Sequence, residues 1–301
     1  MTQPRIGITG WPFRDWSAER TLVKVHEYGI NYLDFWPEMR GEASSEAVIQ
    51  RAEQLGVTLY CYNVPDKPRL GAWDSGDAVR ADLIARIREA KQLQIPNVQL
   101  YGGASPGRSP DATARECAEV LKPVIEYADA VDVTLWFEND YDESGTDRDR
   151  SAINRTPEAV RALLEAVGSP RLKATYDTCN FVIAGSEGFP FGYELLRPYI
   201  ANVHVKDARH YDRSLLGEVP AGTVLTSDVV QGQYVPVPAG QGTANLDALL
   251  RRMVADHYDG FVTLDALCRA EQADQFFPGD LRFVRERFES GRPLVKEEIP
   301  R

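Results

Sequence analysis

Three features of the sequence predict an α/β chain folded as one (β/α)8 (TIM) barrel domain over residues 1–301, with a long loop after its seventh strand. Short apolar runs alternate with amphipathic runs from end to end. The alternation repeats eight times. The length of 301 residues suits a barrel, which takes roughly 250 as a single domain. Alternation of this kind argues for a parallel sheet, and eight units argue for closure. No GxGxxG follows the first strand, which sets aside the doubly wound open sheet.

In chain order, strand-like runs lie near 5–11, 32–38, 57–64, 97–102, 133–139, 172–177, 201–207 and 261–267. Helical patterns lie near 18–28, 45–55, 77–94, 112–130, 157–167, 193–198, 246–257 and 280–289. Gly29, Gly56 and Gly168 each follow a helical run, as helix-ending glycines do. Thr156-Pro157-Glu158 places a cap and then proline at the first position of the fifth helix. The seventh connection breaks the rhythm. It runs from His210 to Gly242, is rich in Gly, Pro and Val, and contains Val235-Pro236-Val237-Pro238. Because it follows a strand it stands on the catalytic face, as a lid, a pocket wall or a hairpin without a part in the site.

Composition narrows the function. An apolar fraction of 43% and a charged fraction of 26% are those of a soluble globular protein. The net charge of −11, with no basic stripe, argues against nucleic acid as a partner. No apolar run is long enough to span a membrane, and the start of the chain carries no signal-peptide pattern. Cys61, Cys117, Cys179 and Cys268 are scattered and form no CxxC pair, which fits reduced thiols in the cytoplasm. Association with further copies of the chain stays open.

Barrel enzymes build their sites where strands end. Four ionisable residues stand at such ends: Glu138 after Thr134-Leu135-Trp136-Phe137, Asp177 after Ala174-Thr175-Tyr176, His204 after Asn202-Val203, and Asp265 after Val262-Thr263-Leu264. Side chains alternate along a strand. With Leu135, Phe137, Val203, Val205, Val262 and Leu264 on the helix side, Trp136, Glu138, Asn202, His204, Lys206, Thr263 and Asp265 face inward. Three carboxylates then share one rim, and such a group repels itself unless a cation sits between them. An oxygen-rich set with one nitrogen suits one divalent metal, Mn²⁺ first, with Mg²⁺ and Co²⁺ as alternatives, better than a thiolate zinc site; Zn²⁺ stays open. Alone, each residue has a plainer reading: Asp177 as a cap, His204 as a core histidine. The joint pattern on four strands is what favours the metal.

Other strand-end residues are candidates for substrate contact. Lys206 would neutralise an oxyanion or bind a hydroxyl; otherwise it pairs with Asp207 or Glu138. Arg209 would orient substrate or pair with an acid. Trp11, Trp36, Tyr62, Gln99, Glu38 and Trp136 lie near strand ends, where aromatic faces stack on sugars or pack in the core. No Gly-rich phosphate cradle follows the last two strands. The acidic run from Asp140 to Asp149 lacks the spacing and closing Glu of a calcium loop and reads as solvated.

Phe137-Glu138-Asn139, Tyr176-Asp177-Thr178-Cys179-Asn180, His204-Val205-Lys206-Asp207 and Pro238-Ala239-Gly240-Gln241-Gly242 occur in the order seen in the xylose isomerase-like barrels. The chain resembles that superfamily over nearly its whole length. The group includes ketose 3-epimerases, hydroxypyruvate isomerases, inosose isomerases and dehydratases, and endonuclease IV. The resemblance implies metal ligands at Glu138, Asp177, His204 and Asp265, with Glu138 and Asp265 as the acid/base pair on a small-molecule carbohydrate. It implies proton transfer next to a carbonyl through a metal-stabilised enediolate. A lyase on a keto-sugar or keto-inositol is the enzymatic alternative, and a non-catalytic sugar-binding barrel is the alternative of another class. The chain departs from the family in three places. Asp265 stands where the family has Glu, Asn180 where it often has a substrate-binding His, and Gln241 where it has the Glu of a Gly-Glu-Gly turn. With four histidines in all, the three-metal endonuclease branch lacks its ligands.

Overall fold

The apolar runs fold as parallel strands that close on themselves in a computed structural model, which describes residues 4–63, 70–71, 76–103, 107–141, 151–220, 222–228 and 231–290. The barrel strands are β1 (Arg5–Thr9), β2 (Tyr32–Phe35), β3 (Thr58–Tyr62), β4 (Asn97–Tyr101), β5 (Thr134–Glu138), β6 (Leu172–Asp177), β7 (Ile200–Val205) and β11 (Phe261–Leu264), in the closed order β1-β11-β7-β6-β5-β4-β3-β2. Each is a half-buried or buried run of β-branched and aromatic residues, the composition of strands covered on both faces. The long helices around the barrel are α1 (Ala18–Glu27), α2 (Ser45–Gln54), α3 (Gly76–Gln92), α4 (Pro110–Ala130), α5 (Pro157–Val167), α9 (Leu246–Ala255) and α10 (Ala273–Ser290). Ser17, Ser44, Ser109 and Thr156 cap α1, α2, α4 and α5, each accepting from the backbone N–H three residues on. The expected cap and proline at Thr156-Pro157 and the left-handed Gly168 are both present. Among the described residues no helix is long and apolar enough to cross a membrane. All four cysteines are free and buried. The acidic run lies outside the described residues beyond Tyr141.

Three elements differ from expectation. The helix expected over 193–198 is only a short turn, α7 (Tyr193–Leu196), and a helix not expected, α6 (Thr178–Ile183), starts directly at the end of β6. Asp177 causes the early start, since its side chain accepts from the Asn180 N–H and caps α6. The last helix, expected over 280–289, begins earlier, at Ala273, and runs across Pro278. Pro278 removes one ladder bond, but buried Phe277 and Leu281 hold both sides of it against the barrel.

The third difference is the long seventh connection, which is a small sheet. Strands β8 (Asp207–His210), β9 (Thr226–Asp228) and β10 (Gly232–Val237) pair antiparallel in the order β8-β10-β9. It is fastened at several points. The Asp207 carboxylate accepts from the backbone N–H groups of Gly240, Gly242 and Ala244. Arg155, in the connection between β5 and α5, forms a fully buried ion pair with Asp228. Thr226 donates to the Tyr141 hydroxyl at 2.6 Å. A sheet tied to its own return segment and, at two points, to the connection between β5 and α5 is a fixed wall beside the mouth of the barrel.

One irregularity in the barrel decides where side chains point. The pairing of β2 with β3 slips between Leu33 and Asp34, so that Leu33 faces Leu59 but Asp34 faces Cys61. Tyr60 is the extra residue. A bulge of this kind moves every later side chain of the strand to the opposite face. Tyr60 packs inside with Trp136 and Phe261. Tyr62 therefore turns outward and packs against Phe35.

Candidate metal centre

The inward faces of β5, β6, β7 and the residue after β11 bring Glu138, Asp177, His204 and Asp265 together. One ligand atom from each lies within 4.8 Å of all the others. His204 Nδ1 stands 3.0 Å from Glu138 Oε1, 3.4 Å from Asp265 Oδ2 and 3.9 Å from Asp177 Oδ2. None of these three approaches is a hydrogen bond; Asp177 Oδ2 meets the Lys206 ammonium at 2.8 Å, but both His204 ring nitrogens are buried without a hydrogen-bond partner. Leaving such atoms unpaired costs roughly 1–3 kcal/mol each. One atom from each residue thus lies close enough to the others to share a single ion. Ligands about 2.1 Å from one ion lie up to roughly 4.2 Å apart, close to the spread seen here. Three hard oxygens and one imidazole suit a divalent cation, so the residues fit the group that the sequence implied.

The supporting contacts explain how the four are held. Asn139, next to Glu138, grips the backbone of Asp177 from both sides: its Nδ2 donates to the Asp177 carbonyl at 2.7 Å and its Oδ1 accepts from the Asp177 N–H at 2.8 Å. Gln99 Nε2 donates to Glu138 Oε2 at 2.5 Å, and Asn180 Nδ2 donates to Glu138 Oε1 at 3.3 Å and to the Asn139 carbonyl at 2.8 Å. The Asp265 N–H donates to the Val205 carbonyl, which extends the β7–β11 pairing to the ligand itself.

Lys206 lies among the acids, 2.8 Å from Asp177 Oδ2 and 3.0 Å from Asp265 Oδ2. Its partners are thus neither Asp207, which holds the 240–244 backbone, nor Glu138. Burial works against the charged imidazole of His204, but Glu138 and Asp265 outweigh it and hold the group well above the ordinary histidine range. Burial also works against ionised Asp265, yet Lys206 and His204 prevail and keep it below the ordinary carboxylate range. For Asp177 burial wins and raises the group, with Lys206 and His204 opposing.

The candidate substrate contacts divide. Gln99, Asn180 and Lys206 touch the cluster. Trp36 is buried at the end of β2 with Nε1 unpartnered, and Trp11 is half-buried after β1 with Arg14 over its ring. Tyr62 is not brought to the mouth; the bulge at Tyr60 sends its hydroxyl to Glu89 on α3. Arg209 is exposed on β8 and bonds to none of the four candidate ligands. Trp136 lies one layer deeper, in the aromatic floor with Tyr60 and Phe261, and Glu38 is exposed.

Sequence reading passed over Thr9, Asp34, Asn63 and Tyr101 on β1 to β4. Asp34 is buried, with Oδ2 accepting from Asn63 and Oδ1 unpartnered. Burial pushes it up to about 7, against the Asn63 hydrogen bond. The signal was available: an acid inside the apolar run Tyr32-Leu33-Asp34-Phe35. A cavity of 690 Å³ opens at the other pole, among Arg5, Asn97, Lys173 and Asp256 at the strand starts. It holds none of the four converging groups, so the geometry of the ligand atoms, and not cavity size, locates the centre.

The profile of the family described as xylose isomerase-like TIM barrel matches residues 22–287. The chain belongs to that family. No curated protein matches it. Solved structures similar to this xylose isomerase-like barrel include a probable 3-DHS dehydratase from Bacillus anthracis, at 15% identity and TM-score 0.69, covering 94% of this chain and 99% of that one. A D-psicose 3-epimerase with D-tagatose from Clostridium cellulolyticum H10 is similar at 13% identity and TM-score 0.67, covering 94% and 99%. A xylose isomerase-like TIM barrel protein in complex with magnesium from Mycobacterium smegmatis is similar at 15% identity and TM-score 0.69, covering 96% and 98%. These likenesses are of fold.

Proposed function

We propose that this barrel is a divalent-metal-dependent sugar isomerase or epimerase that moves a carbon-bound proton next to a carbonyl. The observation that carries the reading is the convergence of Glu138, Asp177, His204 and Asp265 within 4.8 Å, with both buried ring nitrogens of His204 left without a hydrogen-bond partner. A divalent cation held there, Mn²⁺ first with Mg²⁺, Co²⁺ or Zn²⁺ as alternatives, would supply Lewis-acid polarisation of the carbonyl. Glu138 takes the proton, its carboxylate aimed by Gln99 and Asn180. Asp265 faces the substrate from the other side and returns a proton there. Lys206 donates to the oxygen that gains charge as the enediolate forms. Trp11, Trp36 and Asn180 line the carbohydrate. Two bases facing one carbon give 3-epimerisation; one base shuttling between neighbouring carbons gives aldose–ketose isomerisation. A structural neighbour that is an epimerase with bound D-tagatose supports a small carbohydrate as substrate.

One observation favours a second reading, a lyase: the Lys206 ammonium lies 3.0 Å from Asp265. In that reading Glu138 takes the carbon-bound proton, the β C–O bond breaks with its electron pair leaving on oxygen, and Lys206 protonates that oxygen. Solvent-deuterium exchange into ketoses and keto-inositols tests both. Exchange lost in Glu138→Gln but kept in metal-saturated Asp265→Asn overturns the two-base epimerase. No exchange by the metal-loaded wild type with any such compound favours a non-catalytic sugar-binding barrel.

A further inference from the structure

A hydrogen-bonded chain crosses the mouth from Asp34 on β2 to Glu138 on β5. Asn63 Nδ2 donates to Asp34 Oδ2 at 2.9 Å, and the Thr9 hydroxyl donates to the same oxygen at 3.4 Å. The Tyr101 hydroxyl donates to Asn63 Oδ1 at 2.9 Å. Gln99 Nε2 donates to the Tyr101 hydroxyl at 2.8 Å and to Glu138 Oε2 at 2.5 Å. Gln99 Oε1 accepts from the Thr175 hydroxyl at 3.0 Å. Every member but the tyrosine is buried, and Tyr101 is half-buried.

The direction of these bonds follows from one end. Amides and hydroxyls can each turn either way, but a carboxylate oxygen accepts. Asp34 Oδ2 therefore fixes Asn63 with its NH2 toward β2. That leaves Asn63 Oδ1 for Tyr101, so the tyrosine hydroxyl must donate there and offer its lone pair to Gln99. Gln99 must then present its NH2, and its second hydrogen falls on Glu138. Reversed, Gln99 would set a carbonyl oxygen against the carboxylate. The polarity is the same whether Asp34 is ionised or holds a proton on Oδ1, because Oδ2 is the atom in use. Asn and Gln side chains do not pass protons along such a chain; they pass orientation.

We infer that Asp34 is a positioning residue: by polarising the Asn63–Tyr101–Gln99 chain it makes Gln99 a donor to Glu138 and holds that carboxylate toward the metal centre. The inference rests on the reading of Glu138 as ligand and base. Groups that orient a ligand typically change metal affinity by roughly 10–100-fold.

The test is a double-mutant cycle on Mn²⁺ affinity of the whole chain, measured calorimetrically with Mn²⁺ alone. Asp34→Ala and Tyr101→Phe, which cut the chain at different links, should each weaken Mn²⁺ binding about 10-fold, and the double variant also about 10-fold rather than about 100-fold. Asp34→Asn keeps an acceptor oxygen and should stay within about threefold of wild type. An additive double variant, or Asp34→Asn as weak as Asp34→Ala, overturns the inference. If wild type binds no Mn²⁺, the metal reading itself fails, and the same cycle on urea midpoints of the metal-free protein decides the chain. Less-than-additive midpoint shifts then support it and additive shifts overturn it.

Discussion

Over β5, β6, β7 and β11 the barrel mouth carries three carboxylates, an imidazole and an ammonium that crowd one another, with buried atoms left without hydrogen bonds. Over β1 to β4, among the described residues, it carries one buried carboxylate, Asp34, and the neutral donors and acceptors around it are joined in sequence from Thr9 to Gln99. Both halves are buried in the same barrel. The difference lies in how they are satisfied: the first could hold a divalent cation and leaves the His204 nitrogens without partners, while the second is nearly complete already. Unsatisfied buried charge marks the place where chemistry is expected, and satisfied polarity marks its support.

Breaking the charged half should give the largest effect. Glu138→Gln removes the proposed base and a ligand oxygen together, and proton exchange should fall by about 10²–10⁴-fold. His204→Ala combined with Asp177→Asn should leave the fold intact but abolish stoichiometric Mn²⁺ binding by elemental analysis. Full metal content in that double variant would overturn the assignment of the centre.

The wall beside the charged half gives the next effect. Arg155 and Asp228 are buried as an ion pair, so removing the guanidinium leaves a buried carboxylate without its countercharge. Arg155→Met should cost about 3–5 kcal/mol in chemical denaturation, and Arg155→Met with Asp228→Leu should recover most of it. Recovery would show that the β8–β10 sheet needs fastening, not charge. No recovery would mean that the pair orders the wall in a way apolar packing cannot replace.

The two halves were unequally legible in the sequence. Glu138, Asp177, His204 and Asp265 each close a strand whose neighbours alternate cleanly between apolar and polar, so their inward direction could be read off. The same rule would mislead at Tyr62, because the bulge at Tyr60 shifts the alternation by one and nothing in Thr58-Leu59-Tyr60-Cys61-Tyr62 announces it. Asp34 was legible as an acid in an apolar run but carries no motif. Asn63 and Tyr101 are ordinary strand-end residues whose role exists only through cross-strand bonds between segments far apart in sequence. The eightfold order was readable from periodicity; the small sheet in the seventh connection was not, since Gly-, Pro- and Val-rich segments serve loops and edge strands alike.

A third prediction compares two buried carboxyls outside the ligand set. Burial raises both Asp34 and Asp280 to about 7. Asp280, on α10, accepts from the Ala239 N–H at 2.8 Å, and the charge of Asp207 adds to its rise. A carboxyl raised on folding leaves stability fully present below its unfolded value near 4 and lost as pH climbs through about 7. Wild type should therefore lose stability between about pH 4 and pH 7, the range from the unfolded carboxyl value to the folded values of about 7. Asp280→Asn should flatten that slope and gain on the order of 2–4 kcal/mol relative to wild type at the alkaline end. Urea midpoints across pH check it; an unchanged slope would mean that Asp280 ionises freely in the folded protein.

The smallest effect separates two tyrosines that the sequence places alike at the ends of adjacent strands. Tyr62 and Tyr101 close β3 and β4, yet the bulge turns Tyr62 out to Glu89 on α3 while Tyr101 turns in to Asn63 and Gln99. Burial, with the neighbouring Glu89 adding to it, raises the Tyr62 hydroxyl above the ordinary tyrosine range, so the group stays neutral and donates. Tyr62→Phe removes a single hydrogen bond between strand and helix, worth about 0.5–1.5 kcal/mol, and leaves the ring packing on Phe35 in place. Stability should fall by that amount, with Mn²⁺ affinity and proton exchange unchanged. Tyr101→Phe should also lose stability, because it leaves buried Asn63 Oδ1 without its donor, but unlike Tyr62→Phe it should in addition weaken the metal centre. A loss of exchange in Tyr62→Phe would return that residue to the mouth of the barrel and would mean that the bulge does not set the inner face of β3.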